Sequence, residues 1–431
     1  MTQQLVVRPR RTPWFSVAGF ACVATASGLL ALLLFGLPLT PAVLAALAAD
    51  TLASGALIVG LLARRLQGHA ARPSRDDRHH ELAVARSLVE NYGEDSISPF
   101  IVRPDKSYEF AAGGVLAYRT FGRTAVVSGD PVGPPGAAAE LLAGFLEAAR
   151  SRNCEVVVYG ASAREIETYH RLGLRSICVG EEAVVHPDRF SLEGRRVRKL
   201  RQSVHRIQRR GWQILVSDGV DIDAATESEI DALEARWRAR RRCVLGFAMS
   251  MGRFEAGVHP GDLYVLARSP EGGLAAVMRF IAHRGKLSLD TMRRIGETPN
   301  GLNEALLCHA LEVARARGIS EVSLNYAGLA HLVRNRNSAG RVRSVAIRLL
   351  LALLRRRFQT ERLVRFNEKF APEWRPRYLV YRSRRTLPVA AYRVLQAEGY
   401  IAHRDLRAEL DTPSRPARTG LPPVGTGAAG R

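Results

Sequence analysis

Cysteine and lysine are both scarce in this 431-residue sequence. No CxxC pair and no histidine at metal-ligand spacing accompanies the five scattered cysteines, Cys22, Cys154, Cys178, Cys243 and Cys308. This argues against a zinc site and against a disulfide framework, and indicates reduced cytoplasmic thiols. Lysine is rare, so arginine supplies nearly all of a net charge of +22. An excess this large predicts a polyanionic partner, either nucleic acid or an anionic membrane surface.

A long internal repeat is also missing, and most of the chain lacks the polar bias of disordered segments. A hydrophobic content of 47% over 431 residues suffices for two or three domains with cores of their own. The exception is the C-terminal stretch 401–431, which is rich in proline and glycine and is predicted to be a disordered tail.

Two long apolar runs stand near the N-terminus. Residues 14–37 carry no charge, and residues 42–63 carry only Asp50. Each run is long enough to cross a bilayer as a helix, so residues 1–65 are predicted to form a transmembrane hairpin. Arginines flank both outer ends, which places both termini in the cytoplasm and predicts a two-span cell-membrane protein. A secretory signal peptide, or a re-entrant second segment, is the alternative.

The remaining chain divides by composition and periodicity. Residues 66–79 are predicted to form a linker, and alternating helical and strand patterns follow, indicating an α/β or α+β body. Four segments are expected beyond the linker: a first subdomain at 80–193, a basic connecting helix at 194–215, a second subdomain at 216–400, and the tail.

The connecting segment "GRRVRKLRQSVHRIQRRGW" is strongly basic. On a helix, Val197, Leu200, Val204 and Ile207 fall on one narrow stripe, so the segment is predicted to dock along that seam. Its basic residues spread over the rest of the circumference: Arg198, Lys199, Arg201, Arg206 and Arg209. Because charged surface helices usually mix both signs, a single-sign face favours contact with an anionic ligand over a merely solvated surface.

The second subdomain contains a clear structural unit in its sequence. Lys286–Thr291 is predicted as a strand, 292–301 as a loop, Leu302–Arg317 as a helix, and Glu321–Asn325 as a second strand. This order is typical of acyltransferases of the acetyltransferase-like (GNAT) fold. A coenzyme A site there usually has a Gly-x-Gly cradle, whereas Gly296 is followed here by Glu297, Thr298 and Pro299. Coenzyme A is therefore not expected.

Three charged residues in this unit are candidates for catalysis. Asp290 and Glu304 could hold an ammonium group or accept a proton, and Arg293 could neutralise a developing oxyanion. By residue type alone, an Asp–Arg ion pair and a glutamate favoured by the helix dipole are the preferred explanation. Further along, "RFNEKFAPEWRPRY" interleaves aromatic and basic residues, which indicates either core packing or contact with phosphate groups.

Seven segments together resemble a known family, the catalytic region of the phosphatidylglycerol lysyltransferases and alanyltransferases, also called the multiple peptide resistance factor group. In chain order they are "GDPVG" (129–133), "YGAS" (159–162), "YHRLGL…GEEAVV" (169–185), "FSLEGRRVRKLRQSVHRIQRRG" (190–211), "DTMR" (290–293), "PNGLNEALL" (299–307) and "RFNEKFAPEWRPRYLVY" (365–381). The resemblance covers roughly residues 80–385.

This resemblance implies two tandem GNAT-like subdomains and transfer of lysine or alanine from aminoacyl-tRNA to the glycerol hydroxyl of phosphatidylglycerol, with no metal or organic cofactor. Asp290 and Glu304 would hold the donor's amino group, and Arg293 would stabilise the ester oxygen. Lys369 and Arg375 would bind the lipid phosphate. The basic helix would bind the tRNA acceptor stem.

The chain departs from the longer family members, which carry a many-span membrane domain and, in some cases, a fused lysyl-tRNA synthetase. Two spans predict an anchor, which leaves the product to a separate lipid flippase or the enzyme to another acceptor. The alternatives are aminoacyl transfer to another lipid or a cell-wall precursor, a non-catalytic membrane-tethered RNA-binding module, and a plain acetyltransferase.

Overall fold

The computed structural model describes residues 75–195, 197–240, 246–248, 261–328, 330, 334 and 360–399. The predicted membrane hairpin at 1–65 and the predicted tail at 401–431 lie outside these residues. Across the described part, no helix is both long and apolar enough to span a bilayer.

The first half of the chain begins with a helix and then alternates between sheet and helices. Its elements are α1 (Arg75–Tyr92), β1 (Ser107–Ala111), β2 (Gly114–Phe121), β3 (Thr124–Ser128), α2 (Ala137–Ser151), β4 (Glu155–Ser162), α3 (Ile166–Arg171) and β5 (Arg175–Val185). Helix α1 starts inside the predicted linker, so the last residues of that segment are helical.

The second half begins with the basic helix. Its elements are α4 (Arg198–Arg209), β6 (Gln213–Asp218), α5 (Ala224–Ala239), β7 (Leu263–Arg268), β8 (Leu274–His283), β9 (Lys286–Arg294), α6 (Leu302–Ala316), β10 (Glu321–Gly328), α7 (Thr360–Asn367), β11 (Glu373–Tyr381) and α8 (Leu387–Ala397). The basic helix is shorter than the predicted 194–215, because Gly211 adopts a left-handed φ of 74° and the chain continues as β6.

Each half contains the same arrangement of an antiparallel meander followed by a β-α-β crossover. Strands β3 and β4 are parallel and joined through α2, and strands β9 and β10 are parallel and joined through α6. Both crossover helices follow a glycine in the left-handed region, Gly136 with φ 88° and Gly301 with φ 98°. The predicted α/β class and the predicted strand–loop–helix–strand unit are confirmed.

The two halves share one sheet of eleven strands. Its order is β1-β2-β3-β4-β11-β5-β10-β9-β8-β7-β6. The C-terminal strand β11 therefore lies between β4 and β5 of the first half, and β5 pairs with β10 of the second. The predicted subdomains are 80–193 and 216–400. Strand β11 belongs to the second range in sequence but pairs with strands of the first.

Helices cover both faces of this sheet. On the back face, α4 and α6 pack together, and Leu200, Val204 and Ile207 are buried beside Leu302 as the predicted seam requires. Burying each of these side chains contributes roughly 1.5–3 kcal/mol. On the front face, α5 packs on β8 and β9 through Ile230 and Leu233 and α8 packs on β11.

A buried ionic network helps to hold β11 between β4 and β5. The Arg377 guanidinium on the front face donates to both carboxylate oxygens of Asp95, at 2.5 and 2.6 Å, and to Glu182 of β5 at 3.0 Å. Burial alone would raise the pKa of Asp95, but Arg377 holds it below its ordinary value. The network thus joins the loop after α1, the strand β5 and the crossing strand β11.

Candidate functional site

The candidate site is built on β9, where a β-bulge interrupts its pairing with β8. Leu289 pairs with Phe280 and Thr291 pairs with Arg279, so Asp290 is the extra residue. A bulge re-aims a side chain without ending the strand. Leu289 packs in the back-face core, and Asp290 is directed to the front. Arg293 projects to the same front face, because it contacts α5.

Asp290 lies in a buried cluster with one guanidinium and a second carboxylate. Arg279 Nη1 is 3.6 Å from Asp290 Oδ2, and Arg279 Nε and Nη2 donate to Asp262 Oδ2 at 3.0 and 2.8 Å. Asp262 Oδ1 also accepts from the Ala282 amide. All three charged side chains are at most 7% exposed.

The surroundings of Asp290 bring the pKa of its carboxyl group close to neutral pH. Burial raises the pKa of Asp290 to about 6, and the positive charges of Arg279, Arg103 and Arg293 limit the rise. Burial also raises the pKa of Asp262, with Arg279 opposing it. A carboxylate with such a pKa gains most from an added cation, so the cluster can accept an ammonium group.

Arg293 is held by α5. Its Nε donates to Glu234 Oε2 at 3.1 Å, and its guanidinium carbon lies 3.7 Å from the centre of the Trp237 ring. Arg238 donates to the other oxygen of Glu234 at 2.8 Å. Because Glu234, Trp237 and Arg238 occupy one face of the helix, they fix the plane of the Arg293 guanidinium.

Glu304 is not part of this cluster. It lies in the first turn of α6, on the back face of the sheet, and its Oε1 is 2.6 Å from Lys369 Nζ. The structure therefore brings Asp290 and Arg293 together and places Glu304 on the other side. A carboxylate at a helix N-terminus is also stabilised by the positive end of the helix dipole, which agrees with a structural role for this residue.

The two predicted phosphate ligands are also separated. Lys369 pairs with Glu304 on the back face, whereas Arg375 donates to Glu321 at 2.7 and 3.0 Å and to Glu373 at 2.9 and 3.1 Å. These hydrogen bonds to Arg375 lower the pKa of Glu321 and of Glu373 to about 2. Arg375 is thus largely committed to carboxylates of the protein.

The basic helix α4 meets the loop that joins β9 to α6. Arg206 donates to the Asn300 carbonyl oxygen at 3.3 Å, and a Cβ on Gly301 would lie 2.8 Å from Ser203 Cβ. Arg198, Lys199, Arg206 and Arg209 are exposed, while Arg201 turns back to donate to the Leu192 carbonyl oxygen at 2.5 Å. The basic helix therefore contacts the loop between β9 and α6 at its α6 end.

Sequence reasoning found Asp290 and Arg293 but missed their partners Asp262, Arg279, Glu234 and Trp237. A usable signal was present in β8, where Arg279 interrupts the apolar run "LAAVMRFIAH". In α5, the spacing of Glu234, Trp237 and Arg238 was a second signal. Within the described residues, no group of three or more histidine, cysteine or acidic side chains could hold a metal ion.

Comparisons with known proteins relate the chain to one protein family. A family model for "Phosphatidylglycerol lysyltransferase, C-terminal" matches residues 86–381. The lysylphosphatidylglycerol biosynthesis bifunctional protein LysX of Mycobacterium marinum is 33% identical over 325 residues, which are 74% of this chain and 29% of that protein. For the LysX protein of Rhodococcus jostii, identity is 30% over 345 residues, covering 79% of this chain and 30% of that protein. The chain thus spans less than a third of the length of these relatives.

Two solved structures share the fold. L-PGS from Bacillus licheniformis has a TM-score of 0.60 at 26% identity, covering 73% of this chain and 96% of that one. The C-terminal domain of a putative lysylphosphatidylglycerol synthetase from Agrobacterium fabrum has a TM-score of 0.63 at 22% identity, covering 75% and 99%. The motifs, the matched region and the shared fold establish that the chain belongs to the phosphatidylglycerol lysyltransferase C-terminal family.

Proposed function

We propose that this protein transfers an amino acid from aminoacyl-tRNA to the glycerol hydroxyl of phosphatidylglycerol at the cytoplasmic face of the cell membrane. The observation that carries the proposal is the buried cluster of Asp290, Arg279 and Asp262 beside Arg293, which lies within the residues that the family model matches. Family membership supports the reaction class, and the charged outer face of α4 supports an RNA donor.

The proposed reaction is an acyl transfer between two oxygen atoms. The glycerol hydroxyl oxygen forms a bond to the ester carbonyl carbon, the bond from that carbon to the ribose oxygen breaks, and the hydroxyl proton ends on the ribose oxygen. Asp290 binds the ammonium group of the aminoacyl moiety, and Arg293 faces the carbonyl oxygen as negative charge develops. Because the ester is already activated, the chain's own side chains need only position the two substrates and neutralise the charge that develops.

This proposal assigns Glu304 a different part from the one its motif position implies. Its pairing with Lys369 holds the first turn of α6 against the turn at Glu368–Phe370. We assign Glu304 to fixing the loop between β9 and α6, next to the basic helix, and leave recognition of the ammonium group to Asp290.

The test is transfer of radiolabel into lipid. Membranes containing the full chain are incubated with phosphatidylglycerol and with lysyl-tRNA or alanyl-tRNA, and label in the chloroform phase is identified by mass spectrometry. We expect aminoacyl-phosphatidylglycerol from one donor, and a loss of at least about a hundredfold on Asp290→Asn, the size that removing a transition-state contact gives. Asp221→Asn, an exposed aspartate, is the control and should keep full activity. Full transfer by Asp290→Asn would remove the proposed role, and label in a different lipid would change the acceptor.

A further inference from the structure

An unexplained cluster of arginines lies on the front face of the sheet, apart from the candidate site. A shallow recess of about 580 Å³ is lined by Arg175 at the start of β5 and by Ser383, Arg384 and Arg385, just before α8. The three arginines are exposed, and none of them forms an ion pair with another described residue.

The charge of this cluster is not balanced along the chain. No acidic residue occurs in 168–180 or in 382–397. Arg384 and Arg385 also stand next to the N-terminus of α8, where the helix dipole is positive and a cation is disfavoured. Three unpaired guanidinium groups at such a position are stabilised when an anion occupies the recess.

Two exposed aliphatic side chains lie close in sequence to the arginines of this recess. Ile177 is 44% exposed and Val389 is 40% exposed, and they are two of only six large hydrophobic side chains exposed in the described part. Arg175 pairs in register with Tyr381 and Ile177 with Leu379, both of which pack under α8. Arg175 and Ile177 therefore project on the face that α8 occupies, beside Val389 in its first turn.

We infer that this basic–apolar patch, formed by Arg175, Ile177, Arg384, Arg385 and Val389, docks on the anionic headgroup layer of a phospholipid bilayer. Arginines bind the lipid phosphates, while the two aliphatic side chains enter the boundary between headgroups and acyl chains. RNA fits less well, because single-stranded bases stack on aromatic rings and the patch presents none. The membrane as source of the acceptor comes from the proposed function, whereas the docking itself does not require activity.

The experiment is hydrogen–deuterium exchange on the full chain, read by mass spectrometry. The chain is mixed with vesicles of phosphatidylcholine alone, with vesicles that also contain phosphatidylserine, or with uncharged tRNA. Phosphatidylserine supplies anionic charge without supplying the proposed acceptor. We expect slower exchange in peptides covering 172–180 and 383–392 only with the anionic vesicles.

A charge-reversal variant sharpens the test. Each arginine near an anionic surface strengthens association about fivefold, so Arg175→Glu, Arg384→Glu and Arg385→Glu together should weaken the contact by about a hundredfold or more and abolish the protection. The matched control, Arg189→Glu, Arg236→Glu and Arg315→Glu, makes the same charge change at exposed positions elsewhere and should keep it.

Each other outcome overturns the inference. Unchanged exchange on anionic vesicles removes the docking surface, equal protection on pure phosphatidylcholine removes the role of the arginines, and protection by tRNA instead assigns the patch to RNA. The wild-type comparisons among vesicles and tRNA do not depend on whether a variant folds. Aminoacyl transfer is measured separately in detergent micelles, so a failure of the proposed function is distinguished from a failure of the patch.

Discussion

At the scale of single residues, Asp290 combines function with a cost in stability. Its pKa is raised by burial to about 6 from an ordinary value of 3.8, so the folded state binds a proton more tightly than the unfolded state. The carboxyl's favourable contribution is complete below pH 3.8 and is lost as the pH rises through about 6. Above that pH, the ionised group lowers the free energy of unfolding by on the order of 3 kcal/mol relative to its neutral form.

Asp290→Asn should therefore stabilise the protein at neutral pH while it removes transfer activity. We expect the melting temperature of the variant to exceed that of the wild type at pH 8, with the difference shrinking toward pH 4. Wild-type transfer should rise with pH through about 6, as Asp290 ionises and can bind the ammonium group. A pH-independent difference in melting temperature would show that burial does not penalise this carboxylate. Asp221→Asn again serves as the control.

The partners of Asp290 explain how much of the site a sequence can reveal. Asp290 and Arg293 stand close together on one strand, so a motif finds both. Asp262, just before β7, and Arg279 of β8 reach Asp290 only through strand pairing, and Glu234 reaches Arg293 only through the packing of α5. The bulge that puts Asp290 and Arg293 on the same face has no signature in the alternation of apolar residues, and Glu304 lies on the opposite face.

At the scale of elements, local periodicity was a good guide. The spacing of apolar residues predicted the seam of α4, and the observed helix buries Leu200, Val204 and Ile207 along it. A role of Arg201 in binding tRNA stays a prediction, and the structure adds that its guanidinium donates to the Leu192 carbonyl oxygen. Periodicity tells which residues face the core, but not which exposed side chains fold back on the backbone.

The outer face of α4 carries the next prediction, which concerns tRNA. Arg198→Glu, Lys199→Glu and Arg209→Glu together should weaken binding of tRNA and reduce the slope of log affinity against log salt by about 3, roughly one for each lost phosphate contact. Filter binding at several salt concentrations measures both quantities.

Reversal of Arg175, Arg384 and Arg385 is the charge-matched control for α4, because those residues are assigned to lipid. It should lower tRNA affinity only slightly and leave the salt slope unchanged. An unaltered slope in the α4 variant would assign this helix to the membrane instead. Equal effects of both variants would mean that tRNA responds only to overall charge.

At the scale of the whole molecule, the insertion of β11 between two strands of the first half could not be predicted from the sequence. Each half carries its own β-α-β crossover, so local patterns indicated two separate bodies. The position of β11 between β4 and β5 depends instead on strand pairing between residues far apart in the sequence, and Arg377 adds ion pairs with Asp95 and Glu182. Apolar periodicity does not indicate which distant strands pair.

Loss of Arg377 should therefore lower the free energy of unfolding of both halves together. Arg377→Met leaves two carboxylates buried without their cation, which should cost about 3–5 kcal/mol in the free energy of unfolding. Urea unfolding should still show one transition, because β11 comes from the second half and pairs with two strands of the first. The loss should be smaller at pH 4 than at pH 8, because Arg377 no longer holds the pKa of Asp95 below its ordinary value. Adding Glu182→Gln to Arg377→Met should recover part of the stability, since it removes one of the stranded charges. Arg382→Met, at an exposed position immediately after the same strand, should change little. Two separate transitions in the wild type, or no recovery in the double variant, would show that the halves are joined by the strand pairing alone and not by this ionic network.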